Sequence, residues 1–373
     1  MQKRSPLFDA YAMENGLKLT TFAGWELPLR FSAGTVAEHL SVRKSVGLFD
    51  VSHMGEILVS GPGATELLSW LLTVDPGALN SGWGRYSLIC NEEGGCIDDC
   101  ILFCTSPGSF LIIVNSGNIS RVHEWIKKNS QDKVDVEDRS RDFFMIALQG
   151  PSSRAILDEI GAFGRTMSRF SLRQGVNIAG VSCFVSRTGY TGEEGFEILG
   201  DSEDGEVVWR CLRDAVVERG GLLCGLGARD SLRFEASLPL YGHEISEEIS
   251  PIEAGLRRFV DFQKGEFCGR NVLYDQASGG ASRKLLGCEM LDPSVPRAGC
   301  RVFRLGREVG FVTSGMKTLY LGKFNALILV DSEAATLHEE VEIEIHGKKR
   351  LGKIIGLPFY RGGSAKLANM GGL

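Results

Sequence analysis

Six short runs rich in Val, Ile, Leu and Phe recur near the end of the chain, at 284–290, 299–303, 307–313, 326–330, 340–345 and 350–357. Runs this short, each bounded by turn residues, read as strands. Strands at such regular spacing bury their apolar faces by closing into a barrel or pairing as a sandwich. The last third is therefore expected to be a β domain over 284–373. The small, polar segment 276–283, Gln-Ala-Ser-Gly-Gly-Ala-Ser-Arg, is expected to link it to the rest. The tail after Arg361, with Gly362, Gly363, Gly371 and Gly372, reads as frayed.

The preceding two thirds mix the two periodicities. Helices are expected over 36–47, 64–72 and 119–128, the first with Val36, His39, Leu40, Arg43 and Lys44 at helical spacing and Gly47 as its stop. Strand 55–59 lies between the first two, and between the last two lies an antiparallel meander, 86–91, 96–103 and 109–114, with turn residues at 91–95 and 106–108. Strands 134–138 and 143–149, helix 152–160, strands 175–179, 181–187 and 196–200, and helices 205–220 and 228–236 follow. Hairpins interleaved with single helices predict an α+β fold, and 373 residues allow two or three domains.

Composition narrows the function. Glycine accounts for 47 of 373 residues against only 11 prolines, well above the usual share of about 7% glycine. This excess is expected to mark tight turns or places where backbone approaches a ligand. The net charge is 41 − 47 = −6. A nucleic-acid binder would need a basic patch, and the short runs Lys127-Lys128 and Lys348-Lys349-Arg350 read as solvated surface. No stretch of about 18 apolar residues could span a bilayer. Met1–Phe8 has no apolar leader core, which predicts a cytoplasmic, bacterial protein. Of ten cysteines, Cys90, Cys96, Cys100 and Cys104 cluster. Cys96, Cys100 and Cys104 would share one strand face, and neighbours four residues apart stand roughly 13 Å from each other. They cannot share a zinc, so structural thiols and no metal are expected.

Three clusters hold more polar chemistry than a fold requires. In 91–99, Asn-Glu-Glu-Gly-Gly-Cys-Ile-Asp-Asp, adjacent strand residues point to opposite faces, so one of Asp98 and Asp99 can face solvent while the other is driven inward and needs a partner. That partner is either a turn or an Arg, or a cationic or N–H group of a ligand. In 187–197, Arg-Thr-Gly-Tyr-Thr-Gly-Glu-Glu-Gly-Phe-Glu, the glycine spacing lacks the context of a phosphate loop, while Tyr190 can stack on a flat ring and Glu197 can accept two N–H donors from one. In 225–230, Gly-Leu-Gly-Ala-Arg-Asp, an Arg in a first helical turn opposes the helix dipole. Arg229 is therefore expected to grip a carboxylate or a polar ring edge. Of six histidines, His53 and His243 flank glycine turns and the others read as surface positions. No nucleophile elbow and no His-Glu-x-x-His is present.

In this order the clusters resemble the aminomethyltransferase, or T protein, family of the glycine cleavage system. The likeness also takes in Thr21-Phe22-Ala23-Gly24-Trp25-Glu26, residues 42–55, Ala147-Leu148-Gln149-Gly150-Pro151, 224–230 with 238–244, Thr313-Ser314-Gly315 and Pro358-Phe359-Tyr360-Arg361, nearly the whole chain. The resemblance implies a three-domain, cloverleaf-like folate-binding fold with mixed antiparallel α+β domains and a C-terminal β-barrel or jelly-roll-like domain. The divisions would be 1–50 with 140–275, an inserted 51–139 carrying Asp99, and 284–373. It implies transfer of the methylene carried on the lipoyl arm of H protein to tetrahydrofolate, with release of ammonia, and a functional link to the P and L proteins. The family's essential aspartate falls on Asp99, and its folate contacts fall on Met54, Tyr86, Asn115, Tyr190, Glu197, Arg229 and Arg361.

Folate N5 is itself the nucleophile, so Asp99 is expected to orient the pterin and stabilise the iminium-like cation formed as ammonia leaves. Two segments depart from the family pattern: Gly255-Leu256-Arg257-Arg258, where an aromatic is usual, and Met316-Lys317 within 314–323. Alternatives on the same fold are a free-standing folate-dependent demethylase and a non-enzymatic iron–sulfur assembly factor. The latter's Lys-Gly-Cys-Tyr loop is absent, Lys264-Gly265-Glu266-Phe267 standing there.

Overall fold

The computed structural model describes residues 2–130, 132–161, 167–334 and 336–362. The expected frayed tail beyond Gly362 lies outside them. The meander forms as expected, and its strands join two others in a five-stranded antiparallel sheet ordered Trp83–Cys90, Cys96–Ser106, Ser109–Val114, Gly55–Ser60, Asp135–Asp138. One face, with Ile57, Val59, Leu102 and Ile112, is covered by helices Ala64–Leu71 and Ile119–Asn129. The opposite face, with Phe103, Leu111 and Ile113, packs on Phe49, Met145, Ala147 and Leu199 of a second sheet. Strand alternation thus gives the meander two cores at once.

The second sheet has six strands, ordered Leu172–Ile178, Val181–Ser186, Gly195–Asp201, Phe143–Gln149, Gly47–Asp50, Leu222–Cys224; only the last pair is parallel. Its outer face is closed by helix Gly205–Glu218, whose Trp209, Leu212 and Val216 pack on Phe144, Ile146 and Ile198. The six runs of the last third close into an antiparallel barrel. A fifth apolar cluster joins barrel residue Leu329 to Leu88, Cys90 and Cys96 of the meander through the irregular segment around Ile245, Val260 and Phe267.

Several expectations need correction. The linker is mostly helix: Arg270–Gly279 runs through its first half, anchored by the fully buried Leu273, and only Gly280 to Ser282 connects it to the first barrel strand. Small residues allow a helix as readily as a coil once a buried apolar residue pins its first turns. Gly47 does not stop a helix, which ends at Lys44; it opens a buried strand where a Cβ would press on Val42 and the Cys224 sulfur. Cys100 and Cys104 lie in the core under the helices, whereas Cys96 packs in the fifth cluster with Cys90, since a register shift between Ile89 and Cys90 turns the strand end. His39 is fully buried rather than on the surface, bonded to Ser231 and Glu235. A hairpin of Lys18–Phe22 and Trp25–Arg30 was not foreseen. Among the described residues no helix is long and apolar enough to cross a membrane.

Candidate functional site

Asp98 and Asp99 sit side by side on strand Cys96–Ser106, opposite Ile89 and Leu88. Alternation sends them to different faces, and of the two Asp99 is the one that keeps partial solvent exposure. Asp98 turns toward the start of helix Ile119–Asn129 and is 0% exposed; Asp99 turns to the other face and stays half-buried. Asn115, at the end of strand Ser109–Val114, joins them. Its Nδ2 donates to Asp98 Oδ1 at 2.8 Å and to Asp99 Oδ1 at 2.7 Å, while its backbone N–H donates to Asp98 Oδ2 at 3.0 Å. The Tyr86 hydroxyl donates to Asp99 Oδ2 at 2.9 Å, and Asn118 Nδ2 donates to Asp98 Oδ1 at 2.8 Å. Two acceptor-only carboxylates orient the Asn115 amide, because its carbonyl would repel both.

Electrostatics follow from this enclosure. Burial, then the adjacent Asp99 charge, pushes Asp98 up to about 7, against the pull of its Asn115 and Asn118 donors. Burial also raises Asp99, opposed by the Tyr86 and Asn115 hydrogen bonds. Tyr86 is driven well above the usual phenol value by burial and then by the Asp99 carboxylate. It is therefore a fixed donor.

Facing this trio, loop 187–195 is held by Arg187, which grips Glu194 with two hydrogen bonds at 2.6 and 2.7 Å, and by Gln149, which donates to the Thr188 carbonyl at 3.2 Å and accepts from Thr191 at 2.9 Å. A Cβ on Gly189 or Gly195 would run into that Gln149 side chain. Glu197 is buried, and one carboxylate oxygen accepts from the Thr188 hydroxyl. Its Oε1 accepts no hydrogen bond among the described residues. Burial raises its pKa. Arg229 lies in helix Leu226–Glu235 with its guanidinium 4.7 Å from the centre of the Tyr190 ring. No hydrogen bond or ion pair to another described residue satisfies it, and burial lowers its pKa while the Glu197 charge opposes this. The expected grip on a carboxylate is thus unfilled within the protein. One face of Tyr190 is already covered by Arg229, and its hydroxyl donates to the Pro239 carbonyl. Burial raises Tyr190 above the usual phenol value, and the Asp99 charge adds to this.

Met54 is half-buried, its N–H bonded to the Val51 carbonyl, and packs against the core shared by the two sheets. Arg361 is exposed and bonds only the Leu357 carbonyl among the described residues, so no contact brings it to Asp99. His53 was passed over in the sequence. It is 2% exposed, packs edge-on against Phe22 at 5.7 Å, lacks a partner for Nδ1 among the described residues, and is held down to about 3 by burial and then Arg229.

The departures from the family pattern divide. Arg258 stacks on Phe259 at 4.6 Å, and Phe259 meets the Tyr86 ring edge-on at 4.7 Å, so Arg257-Arg258 borders the site. The 314–323 segment instead docks its Tyr320 and Leu321 N–H groups on Glu235 Oε1, at 3.0 and 3.3 Å.

Some glycines serve turns as expected, Gly94 and Gly192 at positive φ among them, and others serve close packing. A Cβ at Gly225 would meet the Leu29 carbonyl, and one at Gly95 would overlap the Glu247 carbonyl. Close backbone approach here is protein against protein. Gly95→Ala is expected to cost about 1–3 kcal/mol of stability by overpacking, read by urea denaturation, whereas Gly356→Ala, with nothing within 4 Å of its Cβ, should be near neutral.

Comparison with known proteins agrees with this arrangement. Residues 8–264 match the family model described as GCVT N-terminal domain, and residues 283–361 match the glycine cleavage T-protein C-terminal barrel domain. The chain is 44% identical to an aminomethyltransferase of Geobacillus thermodenitrificans over 97% of its length and 99% of the relative's, and 42% identical to that of Bacillus subtilis over 97% and 100%. A crystal structure of the glycine cleavage system aminomethyltransferase T from Bartonella henselae superposes with a TM-score of 0.88 at 33% identity, covering 96% of this chain and 98% of that one. Its α+β fold with a C-terminal antiparallel barrel, its matched residues and these full-length relatives together make the chain a member of the aminomethyltransferase (T-protein) family of the glycine cleavage system.

Proposed function

We propose that the chain passes the aminomethyl carbon held on the lipoyl arm of H protein to tetrahydrofolate, giving ammonia, 5,10-methylenetetrahydrofolate and dihydrolipoyl H protein. The observation that carries this reading is the set of polar groups left unmatched around one half-buried carboxylate: Asn115 Oδ1, Glu197 Oε1 and the Arg229 guanidinium. A reduced pterin has N–H donors along one edge and a carbonyl beside them, which matches a carboxylate acceptor next to a cation.

The folate N5 amine supplies the nucleophile when bound, so no activated Ser or Cys is required. Asp99 holds negative charge where positive charge grows as ammonia departs, and the Tyr86 and Asn115 hydrogen bonds keep it in place. Glu197 reads the ring's donor edge, Tyr190 and Met54 line it, and Arg229 and Arg361 face its polar and anionic parts. Through H protein the chain would act with the P and L proteins, in the cytoplasm. We also assign three units, 1–50 with 140–275, 51–139 and 284–373, supported by their separate sheets.

The test is ammonia release from aminomethylated H protein with and without tetrahydrofolate. Release is expected to accelerate on adding the folate and to yield methylene product in equal amount. Release that ignores the folate rejects the reading.

A further inference from the structure

Asp98 is assigned no part in the chemistry, yet it is better held than Asp99. Its two oxygens accept the Asn115 backbone N–H at 3.0 Å, the Asn115 side-chain amide at 2.8 Å and the Asn118 amide at 2.8 Å. It is fully buried beside the first turn of helix Ile119–Asn129, where the helix dipole favours an anion. The consequence lies at Asn115. That residue has two side-chain N–H groups, and one is spent on each carboxylate, so its carbonyl Oδ1 is the single polar side-chain atom left for a ligand. If Asp98 released its share, the amide could rotate about its last bond and Asp99 would lose a fixed donor.

We propose that ionised Asp98 is a positioning residue for the transfer reaction: acting through Asn115 from the helix side, it orients both the Asp99 carboxylate and the carbonyl presented to the substrate. The inference rests on the function proposed above. Three N–H donors on two oxygens require the anion, so the work of Asp98 should be lost when it takes up a proton. The other titratable groups around the pair are Tyr86 and Cys90 on the neighbouring strand, Cys96 and Cys100 on its own, Tyr190 and Arg229 across the cavity, and Tyr241 with Arg121 and Glu247 beside it. Burial holds Tyr86, Cys96, Cys100, Tyr190 and Tyr241 above their ordinary values and also raises the Glu197 carboxyl across the site, so the inflection is assigned to Asp98 by its loss in Asp98→Asn.

The experiment compares the pH dependence of kcat/KM for folate-dependent ammonia release in the wild type, Asp98→Asn and Asn118→Ala. The wild type should lose activity on the acid side with a midpoint near neutrality. Asp98→Asn should lower kcat/KM by about tenfold or more and abolish that inflection, since the altered residue no longer titrates. Among the described residues the Asn118 side chain bonds only Asp98 and the Ile97 carbonyl, and Asn118→Ala keeps the backbone N–H bond to the Asn115 carbonyl. By removing one donor to the anion it should move the midpoint to higher pH, and a purely structural role would leave the midpoint alone. Unchanged profiles in both variants overturn the proposal. Should Asp98→Asn fail to fold, an unmoved midpoint in Asn118→Ala still rejects it. Absence of folate-dependent release from the wild type would instead reject the underlying function, so the two failures are distinguishable.

Discussion

Asp99→Asn is expected to reduce turnover of folate-dependent ammonia release by roughly 10²- to 10⁴-fold while leaving the dissociation constant for tetrahydrofolate within a few-fold of wild type. The substitution changes charge more than shape. An Asn at this position keeps an oxygen to accept from Asn115, and its new amide can donate to the Tyr86 hydroxyl, which now donates to the carboxylate. What disappears is a negative charge in a half-buried pocket, where a charge acts far more strongly than in water. That charge is needed only as ammonia leaves, so kcat should fall while ground-state affinity holds. Single-turnover ammonia release together with folate titration by fluorescence separates the two quantities. Near-normal turnover with normal affinity would remove Asp99 from the chemistry, and a parallel loss of folate affinity would make it a binding residue.

The largest stability effect is expected at Glu235. Glu235→Ala should destabilise the protein by about 3–5 kcal/mol, because it removes one of the two carboxylates from a fully buried cation and leaves the His39 ring and two backbone N–H groups without their acceptor. Arg43 is 0% exposed at its side chain and donates to Glu235 at 3.0 Å, to Glu193 at 3.0 Å and to the Thr191 carbonyl at 2.7 Å, with Tyr360 stacked 3.9 Å away. The same carboxylate bonds His39 at 3.1 Å and receives the N–H groups of Tyr320 and Leu321 from the barrel. The Glu235 side chain thus ties helices Gly34–Lys44 and Leu226–Glu235 to the C-terminal barrel, while its backbone carbonyl accepts the Tyr360 N–H.

Burial alone would raise the Glu235 pKa, but His39 and Arg43 more than reverse this and hold it below the usual glutamate value. The sign follows: a depressed folded pKa gives stabilisation that is complete above the ordinary glutamate value and is lost as pH falls through the folded one. Urea midpoints measured from neutral to acidic pH should therefore fall more steeply in the wild type than in Glu235→Ala. Parallel pH slopes for the two proteins would show that the carboxylate contributes no such linkage.

How much of the site was legible varies by residue. Asp99, Tyr190, Glu197 and Arg229 lie in or just after glycine turns whose polar content exceeds what a turn needs, and local composition is enough to single out such positions. Tyr86 and Asn115 entered only through the family likeness, since a Tyr and an Asn near strand ends are unremarkable by themselves. His39 and Arg43 were misread or unread because a helical period records only which positions share a face. It does not record that their partners lie 192 to 196 residues later. The linker failed for a related reason: a small, polar segment is neutral about helix until Leu273 is buried elsewhere.

The sequence by itself determined the strands of the barrel and the meander, the mixture of helix and sheet, and the candidate carboxylate, because strand alternation, turn residues and apolar period act over a few neighbours. Only the tertiary structure decided that Asp98 and Asp99, on opposite faces of one strand, would be bridged by one amide. It alone decided that glycines would make room for backbone and that Glu235 would tie helices to barrel. Those outcomes depend on which distant groups share a dry interior, where every buried charge or N–H must find a partner regardless of its distance along the chain.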